Sequence, residues 1–240
     1  MSRSGPTKIR RRGASRMKRQ EQPGKANASS LLTIGVLGGM GPEATGYFFD
    51  LIVRNTAAAK DQEHVPVIIW SDPRIPPRTN AIMGTGPSSL PALLAGAKAL
   101  ERAGAGLLVM PCITAHFWAE KIASSLKIPF VNLIDETVRH ARKAVPGLKT
   151  AALVASTGTV ASRIFHAAFE RAGVELLAPG PREQETVMDA IFGPRGVKAG
   201  FTSGRPRTAI VRIARRLVDR GAQAVVAGCC LRQQRARSFG

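Results

Sequence analysis

Two cysteines of this 240-residue chain stand where a thiol could act as an acid or a base. Cys112 lies in Pro111-Cys112-Ile113-Thr114-Ala115-His116 and Cys229 in Gly228-Cys229-Cys230, each after a short apolar run. A cysteine between a strand end and a helix start faces the positive end of the helix dipole, which favours thiolate. The ordinary alternative is a buried cysteine packed as a small hydrophobe, and His116 alone reads as a satisfied structural histidine. A matched pair says more. With sulfurs on opposite faces of one bound carbon, a thiolate removes a proton from one side while a thiol returns one from the other, which inverts a stereocentre. Negative charge builds up in such a step, so donors and cations must surround the substrate carboxylates. No C-x-x-C pair and no Cys/His cluster has zinc spacing, so no metal is expected. No lysine context suggests a pyridoxal group, and no cofactor is expected.

Two further loops carry the groups such a site needs. Gly38-Gly39-Met40-Gly41 precedes Pro42 and Glu43, residues that suit a helix start. Glycines there let a backbone approach a ligand closely. Read loosely, the segment from Gly39 to Ala44 also fits the dinucleotide fingerprint, with Asp72 as the ribose acid. Asp72 comes later than the usual roughly 20 residues, however, and Pro42 is awkward inside that turn. Ser156-Thr157-Gly158-Thr159 offers hydroxyls and free N–H groups to a carboxylate or phosphate, although Ser and Thr are also ordinary helix caps.

These loops sit at the ends of alternating apolar runs. Strands are expected at Thr33–Leu37, Val65–Trp70, Leu107–Pro111, Phe130–Ile134, Thr150–Val154, Val174–Leu177 and Ala224–Ala227. Helices are expected after Pro42 and over Leu90–Ala103, Phe117–Leu126, Val160–Ala172, Glu183–Phe192 and Ile210–Arg220. Strands spaced by helices imply parallel sheets with right-handed crossovers. Two rounds of the pattern predict an α/β fold of two pseudo-symmetric domains, residues 31–145 and 146–230, with the active site in the cleft between them. Flanking them are a basic, disordered tail over residues 1–30 and an irregular basic tail over residues 231–240.

Charge and composition narrow the partners. The chain has 35 Lys and Arg against 16 Asp and Glu, a net +19. Nine of the basic residues and one acid, Glu21, fall within residues 1–30. The remaining surface is moderately basic, which suits an anionic small ligand and not a nucleic-acid stripe. Nucleic acid is therefore not an expected partner, beyond weak contact through residues 1–30. Aromatic residues make up 5%, too few for a base-stacking platform. No apolar run reaches the ~18 residues of a membrane span, and Arg11-Arg12 has no apolar stretch behind it to make a secretory signal. Three cysteines cannot form a disulfide framework, so a reducing, cytoplasmic setting is expected.

In this order, the stretch Ile34–Thr45, Asp61-Gln62-Glu63-His64-Val65-Pro66, Ile75-Pro76-Pro77-Arg78-Thr79, Pro111–His116, Ser156–Thr159, Val197-Lys198-Ala199-Gly200 and Gly228-Cys229 resemble the aspartate/glutamate racemases, in particular the aspartate racemase branch. The resemblance implies a metal-free racemase, independent of pyridoxal phosphate, that acts on a small acidic amino acid and forms a homodimer. It implies Cys112 and Cys229 as the acid–base pair and Arg78 and Lys198 on the distal carboxylate. Thr114, Ser156 and Thr157 would take the α-carboxylate, and Met40 would line the pocket. The chain departs from the family pattern in two places. Ile113 stands where the family usually has Asn, replacing a donor by an apolar branch at a cost of about 1–3 kcal/mol. Cys230-Leu231 follows Cys229 where Thr-Glu-Leu is usual. A second reading, a non-catalytic ligand-binding or regulatory protein on a racemase scaffold, rests on those departures.

Overall fold

The computed structural model describes residues 32–228. The first half runs β1 (Ile34–Gly38), α1 (Pro42–Asn55), β2 (Val67–Ser71), α2 (Arg78–Ile82), α3 (Leu90–Arg102), β3 (Leu107–Val109), α4 (Ala119–Ala123) and β4 (Phe130–Val131). Next come α5 (Leu133–Ala144), β5 (Thr150–Val154), α6 (Thr157–Ala161), α7 (Ile164–Arg171), β6 (Glu175–Leu177), α8 (Pro181–Phe192), α9 (Arg205–Asp219) and β7 (Ala224–Ala227). Every strand pairing is parallel. The strands form two sheets, ordered β2-β1-β3-β4 and β6-β5-β7. The order of the first three strands in the first half is thus repeated in the second, with β3 and β7 in equivalent places. Among the described residues, no helix is long and apolar enough to cross a membrane.

The central strands β1 and β5, apolar and buried along nearly their whole length, explain why the pattern folds this way. Val36, Leu37 and Leu108 are fully buried in the first sheet, and Ala151, Ala152 and Leu153 in the second. Leu93, Ala97 and Leu100 recur at helical spacing on α3 and bury one face against the first sheet. Phe165 and Phe169, one turn apart on α7, do the same for one face of the second. Val187 and Ile191 of α8 with Ile213 and Leu217 of α9 cover its other face.

Three local expectations are corrected. The run Phe130–Ile134 is a strand only to Val131, because Asn132 caps α5 by accepting a hydrogen bond from the Ile134 N–H at 2.9 Å. α5 then sends Ile134 and Val138 into the core of the second sheet. The expected helix over Val160–Ala172 is two helices, broken at Arg163, which adopts a left-handed φ of 56°. The expected helix over Phe117–Leu126 is a 3-10 helix over Ile113–Trp118 followed by the short α4.

Candidate active site

Parallel strands deliver their C-terminal ends to one side of a sheet, and the loops singled out in the sequence all leave from such ends. Gly39 follows β1 with φ at +90°, and a Cβ there would lie 2.4 Å from the backbone of Asp72. Only glycine lets the β1 and β2 loops approach this closely, directly before Met40. Asp72 itself is engaged by Arg74, whose Nε donates to it at 2.9 Å and whose Nη2 donates at 3.1 Å. That pairing holds the Asp72 carboxyl below its ordinary pKa.

Cys112 lies three residues beyond β3, 7% exposed. It opens on a cavity of about 310 Å³ lined also by Met40, Arg78, Thr114 and Lys198. Gly228, immediately before Cys229, lines the same cavity; Cys229 itself falls outside the described residues. Cys112 caps a six-residue 3-10 helix, so the long α-helical dipole expected behind the thiol is absent. What holds the loop instead is His116. Its Nε2 accepts the Leu133 N–H at 3.1 Å, which puts the imidazole proton on Nδ1, and Nδ1 donates to the Cys112 carbonyl at 3.0 Å.

Burial pushes the His116 pKa down from 6.5 to about 4. The unfolded chain takes up this proton near 6.5 and the folded one only near 4. The stability gained by keeping the ring neutral is therefore complete above pH 6.5 and is lost as pH falls to 4. That loss is about 3 kcal/mol. Urea unfolding at pH 7 and pH 4 measures it, and His116→Asn is expected to remove that share of the pH dependence.

Three hydroxyls from both halves meet beside the cavity. Thr114 Oγ1 lies 2.8 Å from Thr159 Oγ1 and 3.2 Å from Ser156 Oγ, and the latter two are 3.1 Å apart. Ser156 and Thr159 are buried, so these contacts satisfy polar atoms that water does not reach. Thr157, the next residue, is held from α8: its N–H donates to Met188 Sδ at 3.2 Å, and its hydroxyl accepts from Gln184 Nε2 at 3.3 Å.

The cations come from one residue in each half. Arg78, at the start of α2, donates through Nη1 to the carbonyls of Ile75 and Pro76, both at 2.9 Å, which aims the rest of the guanidinium. Lys198 lies on the 3-10 turn Val197–Ala199 and reaches the other half, donating to the Met40 carbonyl at 3.3 Å. No carboxylate lines the cavity among the described residues. A small anion therefore finds two positive charges and no opposing one.

Sequence reasoning missed Thr79, Asn80, Met188 and Phe192, which also line the cavity. The first two belong to a helix of five residues, too short to show a period. Met188 and Phe192 are four apart on α8, which marks one helix face and not the cleft it meets.

Residues 37–230 match the family model of the Asp/Glu/hydantoin racemases. The chain belongs to that family. A broad-specificity amino-acid racemase of Bacillus subtilis strain 168 is 28% identical to it over 149 residues, 60% of this chain. The match takes in 63% of the length of that curated relative. Among solved structures, the aspartate racemase of Picrophilus torridus superposes with a TM-score of 0.72 at 28% identity, covering 84% of this chain and 82% of that one. A glutamate racemase of Francisella tularensis in complex with D-glutamate shares the fold alone, with a TM-score of 0.57 at 17% identity over 83% of this chain and 69% of that one.

Proposed function

We propose that this member of the racemase family interconverts L- and D-aspartate, or a close acidic relative, without a cofactor, using Cys112 and Cys229 as two bases. The observation that carries the reading is the repeat itself. Cys112 follows β3, Cys229 follows β7, β3 and β7 hold equivalent places in their sheets, and the residue before Cys229 lines the Cys112 cavity. In one direction the Cys112 thiolate accepts the α-proton. The C–H electron pair moves onto the α-carboxylate, and Cys229 gives its thiol proton to the opposite face of the same carbon. The reverse reaction exchanges the two roles, so atoms and charge balance in each direction.

The surrounding groups support both ends of the substrate. Thr114, which lines the cavity, offers its hydroxyl to the α-carboxylate, where charge grows as the proton leaves, and the Ser156-Thr157 loop acts behind it through the Thr114–Ser156 contact. Arg78 and Lys198 attract the distal carboxylate, and Met40 packs against the carbon chain. Purified full-length chain incubated with L-aspartate and no added cofactor is expected to produce D-aspartate, read by chiral chromatography. Thermal stabilisation by aspartate with no D-isomer formed would instead favour the non-catalytic binding protein, a reading to which the apolar Ile113 lends weight.

A further inference from the structure

The Cys112 cavity has a neighbour. A second cavity of about 310 Å³ lies against α1, and Ile113 and Lys198 line both. Ile113 and Lys198 therefore lie between the two cavities, together with the chain at Met40-Gly41 and Pro111-Cys112. Ile113 is only partly buried. Among the described residues the Lys198 ammonium makes a single 3.3 Å hydrogen bond, long for an N–H donor, from a short turn between Gly196 and Gly200. On the far side of these residues the walls are mostly apolar, with Ala44, Phe48 and Leu51 of α1 facing Leu133 and Val197. Glu43, Tyr47 and Thr202 add the polar groups. Ile113 donates no hydrogen bond, so it suits a methylene chain passing beside it better than a carboxylate.

We infer that the second cavity is a side-chain annex: an amino acid whose α-carbon lies beside Cys112 extends its side chain between Ile113 and Lys198 into it. The inference rests on the racemase reading above and widens its substrate class to amino acids with unbranched apolar side chains. Each methylene buried in such a space favours binding about fourfold. The three carbons beyond Cβ in a four-carbon side chain thus favour binding by about 60-fold, set against the loss of the distal-carboxylate contact with Arg78 proposed above.

The test compares L-norleucine with L-aspartate on the full chain in D₂O, reading α-deuterium by mass spectrometry. Both are expected to take up label. Ala44 lines the annex and not the Cys112 cavity. Ala44→Phe fills the annex and is expected to cut kcat/KM for norleucine at least tenfold while changing that for aspartate less than twofold. Thr202→Trp, which fills it from a loop, gives the same split if the helix variant folds poorly. Label in aspartate with none in norleucine overturns the annex and spares the racemase. So does a filled annex that slows both substrates equally or neither. Label in no amino acid removes both readings.

Discussion

Cys112→Ala is expected to bring racemisation of aspartate down by about 10²–10⁴-fold, the usual worth of a positioned acid or base, and Cys229→Ala to do the same. On the mechanism proposed above each enantiomer needs both sulfurs, one to take a proton and one to give it, so each variant should slow racemisation from L- and from D-aspartate alike. Cys112 is buried among core residues, and removing its sulfur costs about 1 kcal/mol of packing. Cys112→Ser separates packing from chemistry. It keeps the shape of the site, but a hydroxyl holds its proton far more tightly than a thiol. The serine variant should therefore unfold in urea near the wild-type midpoint and still lose nearly all turnover. Full activity in either alanine variant would exclude a two-sulfur mechanism.

Gly158→Ala is expected to have the second largest effect, through geometry alone. Gly158 lies in α6 of the second half, where an added Cβ would come within 2.7 Å of Thr79 Oγ1 and 2.8 Å of Thr79 Cα on α2 of the first. Rotating the threonine relieves the first contact. The second is backbone, so the helices must separate. α2 carries Arg78, and α6 follows directly on Ser156. The separation thus moves the cation relative to the hydroxyl cluster. A displacement approaching 1 Å costs about 10²-fold in rate. Overpacking costs about 1–3 kcal/mol of stability, and the better helix propensity of alanine offsets about 0.5–1 kcal/mol of it. Steady-state kinetics with urea unfolding on the same samples would show activity falling much further than stability.

The sequence made some of this molecule readable and concealed the rest for physical reasons. Thr150–Val154 and Ala224–Ala227 are strands residue for residue, because each is a short apolar run with polar residues or glycine close by. Their order in the sheets follows from parallel crossovers. The helix α5, Leu133–Ala144, was missed whole: Phe130-Val131-Asn132-Leu133-Ile134 reads as one apolar stretch, although Asn132 was the capping signal within it. The break at Arg163 had no glycine to announce it. Cys112, Arg78, Met40, Thr114 and Lys198 were all named from motifs, and they line one cavity. Ser156 joins them through Thr114. The role of His116 in pinning the Cys112 carbonyl was not legible, since its partner Leu133 lies 17 residues away.

Isotope placement at low conversion tests the two-base claim most directly. A thiol carries a single proton, so the hydrogen removed from L-aspartate stays on one sulfur while the other delivers deuterium from D₂O. The D-aspartate formed should carry deuterium at its α-carbon, and the L-aspartate recovered early should retain protium. Deuterium entering recovered L-aspartate as fast as it enters D-aspartate would mean that one group serves both faces, and would contradict the account.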